Sequence, residues 1–315
     1  MNDYLLNKVR NRNSAPAKWI NDKSKTMKHE TLNVNLQTKI YLAICFIFFI
    51  ACTDKEIIDL KNTDDVKLVV FGEFTNEEKI QKVFLSTTSA YFSQAPAPVV
   101  SGAKLLVSDG FSEIELVENI IEPGTYQTPV IFKTVANRTY KLTIEQIDIN
   151  KDGVFESYEA ESHTRDVAFI DGVIIKYSDE WKCWDVGIFF TDPEESEDYY
   201  LFKLYKNNVL HTDTITEYKI FSDRTINGKE VSGIAVHSFD MDRGEFIYKG
   251  DMITLGTFSI TRNYYDFING LKQETSDRIP LFSSPPANLK GNISNGALGF
   301  FATATVTFNT LSYYE

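Results

Sequence analysis

The sequence predicts an all-β protein: an N-terminal immunoglobulin-like sandwich over residues 66–167, then a second β-rich domain with one helix over residues 168–315. Three observations carry this. From Val66 onward, short segments alternate apolar and polar residues, the period of a strand with one wet face. Turn markers (Asp109-Gly110, Pro123-Gly124, Asp152-Gly153) separate them at close intervals. The 23 Phe and 16 Tyr supply the bulky side chains that suit pleated surfaces, and 315 residues suffice for two cores.

The elements follow in order. "KLVVFGEF" (67–74), "IQKVFLST" (80–87), "AKLLVSD" (103–109), "SEIELVE" (112–118), "GTYQTPVIFK" (124–133), "RTYKLTIEQI" (138–147) and "VFESYEAES" (154–162) are seven strands, the number of an immunoglobulin-type sandwich. In "RTYKLTIE", Tyr140, Leu142 and Ile144 alternate with Lys141, Thr143 and Glu145. The Pro-rich "SQAPAPVVSG" (93–102) is a loop, because proline cannot serve a central ladder. Beyond residue 168, "GVIIKYS" (172–178), "KCWDVGIFF" (182–190), "YYLFKLYK" (199–206) and "VLHTDTI" (209–215) read as strands, with Asn207-Asn208 as a tight hairpin turn. "DMITLGTFSI" (251–260) is another strand, and "GFFATATVTF" (299–308) the last. "TRNYYDFINGLKQE" (261–274) is the one helix, with Tyr264, Phe267, Ile268 and Leu271 at helical spacing.

Charge is unevenly placed. Residues 1–51 carry a net +5; taking that from the whole-chain −12 leaves about −17 for the rest. An acidic body repels phosphate backbones, which argues against nucleic acid as a partner. "IYLAICFIFFIAC" (40–52) is shorter than the roughly 20 residues of a spanning helix and follows Lys28 and Lys39, as a secretory h-region does. Residues 1–51 are therefore expected to be a leader with a signal peptide. Met27, followed by Lys28, would give a start of ordinary length. The ending "FIAC" resembles the lipobox of bacterial lipoproteins, which implies lipidation (diacylglycerol and an added acyl chain such as palmitate) at Cys52 and anchoring in the outer membrane. Several acyl chains hold a protein stably on a bilayer where one does not. The polar, acidic residues 52–65 then form a tether, and resemble a surface-export signal that would place the body outside the cell. Cys183 is left without a disulfide partner and reads as an apolar filler in a strand.

"DINKDGVFESYE" (148–159) fits the calcium-loop pattern of an EF-hand, with Asp148, Asn150 and Asp152 as ligands, Gly153 at the sharp turn and Glu159 closing. An EF-hand needs a helix on each side, however, and "RTYKLTIEQI" is a strand pattern. In an extended exit Glu159 stands about 16 Å from Val154 and does not return to close the cage. Two readings remain: a hairpin loop whose Asn and Asp cap their own backbone, and a weaker calcium site on Asp148, Asn150, Asp152 and a carbonyl, joined by Glu156. The acidic background favours the plain turn. "FDMDRGE" (239–245) is a fainter candidate of the same kind.

Catalytic signatures are missing from the sequence. His163, His211 and His237 show no metal-ligand spacing, and no Gly-x-Ser-x-Gly elbow, phosphate loop or dinucleotide fingerprint occurs. His211 is expected on a strand face. The acidic "TDPEESEDYY" (191–200) reads as a solvated loop. The expected protein is not an enzyme.

The stretch "PLFSSPPANLKGNISNGALGFFATA" (280–304) resembles the closing signature of a Bacteroidota lipoprotein family known as domain of unknown function 4249. The matching positions are Pro285, Pro286, Asn288, Gly291, Asn292, Ile293, Asn295, Gly296, Leu298, Gly299 and Phe301. "KLVVFGEFTNE", "PGTYQT" and "NRTYKLTIE" are similar to its front half, in the family's order. The resemblance implies an accessory role beside a TonB-dependent outer-membrane receptor and carries over no functional residue. The aromatic content could furnish stacking surfaces for a glycan or peptide ligand, with most of the Tyr and Phe side chains expected in the core. A freestanding structural or adhesive surface protein is the alternative. The glycines and asparagines of the signature also permit tight turns, which would serve to lock the last strand.

Overall fold

Along β6 (Thr139–Ile147), Tyr140, Leu142 and Ile144 are buried and the residues between them reach solvent, as the alternation demands. The computed structural model describes residues 66–89, 95–191, 197–224, 226, 228–275 and 289–314. β6 lies between β3 (Lys104–Ser108) and β7 (Glu156–His163). β1 (Leu68–Thr75), β2 (Lys82–Thr87), β5 (Thr125–Gln127) and β4 (Glu113–Glu118) follow one another in the facing layer. This four-plus-three order is that of an immunoglobulin constant-type sandwich. β4 steps between the layers: Glu113–Leu116 pair with β3, and Val117 and Glu118 with β5.

The sandwich core joins Leu68, Val70, Phe74, Val83 and Leu85 to Leu105, Tyr126, Tyr140, Leu142, Ile144 and Tyr158. Phe74, Phe132 and Tyr140 meet edge to face. The Tyr140 hydroxyl turns back to accept the amide of Val135 at 2.8 Å, the tyrosine corner of this fold class. Tyr140→Phe should therefore cost about 1 kcal/mol in urea unfolding while leaving the fold intact. At the neighbouring β3–β4 turn, Asp109 accepts the amides of Phe111 and Ser112 and an ion pair from Arg138. Burial would raise this carboxyl, but those donors hold it down to about 2, against an ordinary 3.8. A carboxyl depressed on folding stabilises above its unfolded value and loses that contribution as pH falls through the folded one. Asp109→Asn should thus destabilise at neutral pH, with the gap to the parent closing between about pH 4 and pH 2; chemical denaturation across that range measures it.

The second half contributes β8 (Gly172–Ser178), β9 (Cys183–Thr191), β10 (Tyr199–Lys206), β11 (Val209–Leu210), β12 (Lys219–Ser222), β13 (Glu230–Asp240), a 3-10 turn (Met241–Arg243), β14 (Met252–Ile260), α1 (Arg262–Thr275) and β15 (Leu298–Ser312). β8, β9 and β13 form a separate three-stranded sheet. β10 and β14 are buried on both faces. Phe202, Leu204, Ile253 and Leu255 pack on Val186 and Ile188 of that sheet, while Leu201, Phe258 and Ile260 pack under Tyr264, Phe267 and Ile268 of α1. This explains the nearly unbroken apolar run "YYLFKLYK".

β15 binds the two halves. Residues 298–304 run parallel to β1, and residues 305–312 antiparallel to β14. One ladder, β11-β10-β14-β15-β1-β2-β5-β4-β3-β6-β7 with β12 beside β10, thus crosses the boundary expected near residue 168. Where β1 ends, the Asn76 amide substitutes for a strand, bonding both the N–H and the C=O of Val306. A buried ion pair spans the same seam. Lys203 on β10 meets Glu73 on β1 at 2.5 Å, and Tyr264 of α1 donates to the other Glu73 oxygen at 3.0 Å. Burial alone would raise the Glu73 carboxyl, but Lys203 holds it below the usual range; Glu73 correspondingly holds the Lys203 ammonium above its own.

Candidate functional site

Asp148, Asn150 and Asp152 do come together, in the turn between β6 and β7. Asp148 accepts the amides of Asp152 and Gly153, Asn150 accepts that of Asp152, and Asp152 accepts that of Val154. Lys151 and Gly153 take the positive φ that such a turn requires. Glu156 accepts the amide of Ile149 at 3.0 Å. Glu159 lies on β7 opposite Thr143, paired with Lys141 at 2.7 Å, and so lies along the strand rather than over the turn. The turn borders a depression of about 820 Å³ shared with Val66, Pro96 and Pro98, which puts it at the end where the described chain begins. Cys52, the leader and the tether lie outside the described residues. Cys183 is buried, and burial pushes its thiol up, consistent with a filler rather than a nucleophile.

Distance along the chain hid a second cluster from sequence reading. His211, His237 and Glu245 place ring nitrogens and a carboxylate oxygen within 4.8 Å of one another. Each is positioned by its own element. His211 follows β11 and donates its amide to Leu204 of β10 at 2.8 Å, after the hairpin turn at Asn207 and Asn208, both at positive φ. His237 sits on β13 directly after a bulge at Ala235–His237, the second irregularity on that strand. The bulge lets Val236 and Phe239, an odd number of residues apart, both enter the core, and re-aims His237. Glu245 is delivered by the "FDMDRGE" stretch. Asp240 caps the 3-10 turn through the amide of Asp242, Gly244 takes a φ of 78°, and Glu245 returns to accept the amide of Asp240. Phe239 floors the cluster, its ring 4.7 Å from that of His211 and 4.8 Å from that of His237. Nε2 of His237 is buried with no hydrogen-bond partner. Burial, reinforced by His211, lowers that imidazole to about 4, so it is neutral at neutral pH.

The C-terminal signature packs between β7 and β15. The Asn292 side chain donates to the Phe301 carbonyl at 2.7 Å and accepts its amide at 2.9 Å, and also donates to Glu161 of β7. Ser294 bonds both backbone groups of Glu159. Asn295 and Gly296, both at positive φ, make the tight turn closed by the Ala297 amide on Ser294. A Cβ on Gly299 would lie 1.9 Å from the Val70 carbonyl oxygen, and one on Gly291 would lie 2.0 Å from that of Gly299. Pro285, Pro286 and Asn288 lie outside the described residues. A family model, the Domain of unknown function (DUF4249), matches residues 54–310. The chain belongs to this family. The match takes in both halves of the DUF4249 fold and the β1–β15 ladder that joins them. A comparison with curated proteins finds no match. The expected strand lock is thus visible among the described residues of the DUF4249 signature: Gly291, Gly299, Asn295 and Gly296 serve close approach or the turn, and Asn292 hydrogen-bonds Phe301 to β7.

Proposed function

We propose that this DUF4249 protein is a non-catalytic lipoprotein on the outer-membrane surface of a Bacteroidota cell, serving as the accessory binding component of a TonB-dependent uptake system. The observation that carries the reading is the lipobox-like "FIAC" at Cys52, followed by an acidic tether that leads within 16 residues to β1. Thirteen residues, 53–65, separate Cys52 from Val66, a reach of at most about 50 Å. Lipidation at Cys52 would hold the Val66 end, with the Asp148–Asp152 turn, toward the bilayer. The β3–β4 turn would then point away, with exposed Phe111 and a depression of about 650 Å³ that Arg138 and Lys141 help to line. That end is the surface offered to a glycan or peptide ligand, or to the receptor. Calcium on Asp148, Asn150 and Asp152 would stiffen the membrane-side turn. The non-catalytic part rests on the missing nucleophile and base signatures, and the exclusion of nucleic acid on the acidic body.

The test is a mild-detergent pull-down of the C-terminally tagged protein from native membranes, read by mass spectrometry. Near-stoichiometric recovery of a TonB-dependent receptor is the expected result. Recovery of the protein alone would overturn the uptake role and leave a freestanding structural or adhesive surface protein. Metabolic labelling with a palmitate analogue should mark the parent chain and not Cys52→Ser.

A further inference from the structure

We propose that His211, His237 and Glu245 bind one divalent transition-metal ion of the zinc class, leaving a coordination position open to water or an incoming ligand. The inference does not depend on the uptake reading. Two imidazoles and a carboxylate are a donor set that suits zinc and its neighbours in the transition series, whereas calcium and magnesium take oxygen ligands. Three protein ligands are also the number in zinc sites that keep one position free. The three donors already stand within 4.8 Å of one another, with His211 Nε2 3.9 Å from a Glu245 oxygen. Donors on one zinc sit roughly 3.4 Å apart at the tetrahedral angle, so side-chain rotations close the gap without backbone movement.

The surroundings favour a cation over a simple ion pair. Nε2 of His237 is buried with no hydrogen-bond partner, a state that costs free energy unless something fills it. The other Glu245 oxygen accepts the Asp240 amide at 3.0 Å, the outer hydrogen bond that commonly orients a ligating carboxylate. His237 follows a β-bulge and Glu245 follows a left-handed glycine, so two local departures from regular structure converge on one point.

Zinc chloride titrated calorimetrically into the purified, EDTA-stripped chain should bind saturably with one ion per chain. Imidazole nitrogen NMR of the same sample should show the ring signals of His211 and His237 moving while His163 stays. Glu245→Gln keeps the acceptor for Asp240 and should weaken binding roughly tenfold or more, since outer-sphere losses alone reach that scale. His211→Ala/His237→Ala should abolish it. Absence of saturable heat, movement confined to His163, or full affinity in the double variant would each overturn the site. If the double variant loses its fold by circular dichroism, the NMR of the unmutated chain decides alone.

Discussion

Lys203→Met is expected to cost about 3–5 kcal/mol of folding stability, because it leaves the Glu73 carboxylate buried and unpaired. Glu73 lies on β1 and Lys203 on β10, 130 residues on, and both are nearly sealed from water. The Lys203 ammonium also lies over the rings of Phe258 (4.6 Å) and Tyr218 (5.1 Å), which screen it from most of the solvent. Once the lysine is gone, the Tyr264 hydroxyl and the weaker field of Lys79 are left to support the charge. For a domain of this size the loss should lower Tm by roughly 10 °C. The pH dependence identifies the cause. Without Lys203, burial raises the Glu73 carboxyl above its ordinary 4.5, so the folded variant binds a proton that the unfolded chain does not. Stability of the variant should then fall as pH rises from about 4.5 toward neutral. Adding Glu73→Gln should restore much of the loss, since removing both charges spares the desolvation of either. Urea unfolding of the two single variants and the double variant measures the coupling. A cost below about 1 kcal/mol in Lys203→Met would mean that water reaches Glu73.

The seven strands of the sandwich are legible because each has one wet face, which writes a period of two into "RTYKLTIE" and its neighbours. α1 is legible for the same reason at a period of 3.6, and Tyr264, Phe267 and Ile268 are the residues it buries. Errors fall where another constraint overrides the period. The strand expected over 124–133 ends at Gln127, shortly before Pro129, which has no amide to give, and Val130 and Ile131 are exposed. The one expected over 209–215 ends at Leu210, where His211 turns toward Glu245. β13 goes unread because Gly233 and two register shifts break the alternation of "EVSGIAVHSFD". Those shifts place His237 beside His211, so the feature that hid the strand also built the candidate metal site. Pairing of β1 with β15 joins segments more than two hundred residues apart, and no local pattern announces it. The turn at Asp148–Asp152 illustrates the converse. Its side chains match a calcium template residue by residue, yet the same spacing lets them cap their own backbone.

Gly299→Ala is expected to be among the most damaging single changes in the protein, costing about 4 kcal/mol or more or preventing folding. Two effects coincide there. The residue has a φ of 97°, and its new Cβ would lie 1.9 Å from the Val70 carbonyl oxygen of β1, which is backbone within a ladder and has no space to retreat. Gly296→Ala separates the two effects, because Gly296 has a φ of 72° but nothing within 4 Å of the added carbon. That variant should lose only about 1–2 kcal/mol, the cost of a left-handed alanine. Asn292→Ala should fall between them: it strips partners from both backbone groups of Phe301, at about 1–2 kcal/mol for each group, the lower part of the usual range because both contacts are only part-buried. Thermal unfolding of the three variants should therefore rank Gly299→Ala worst and Gly296→Ala mildest. If Gly299→Ala proved as mild as Gly296→Ala, β15 would have to move away from β1 without penalty. The parallel ladder would then not be what fastens the last strand to the sandwich, and the signature's glycines would need another explanation.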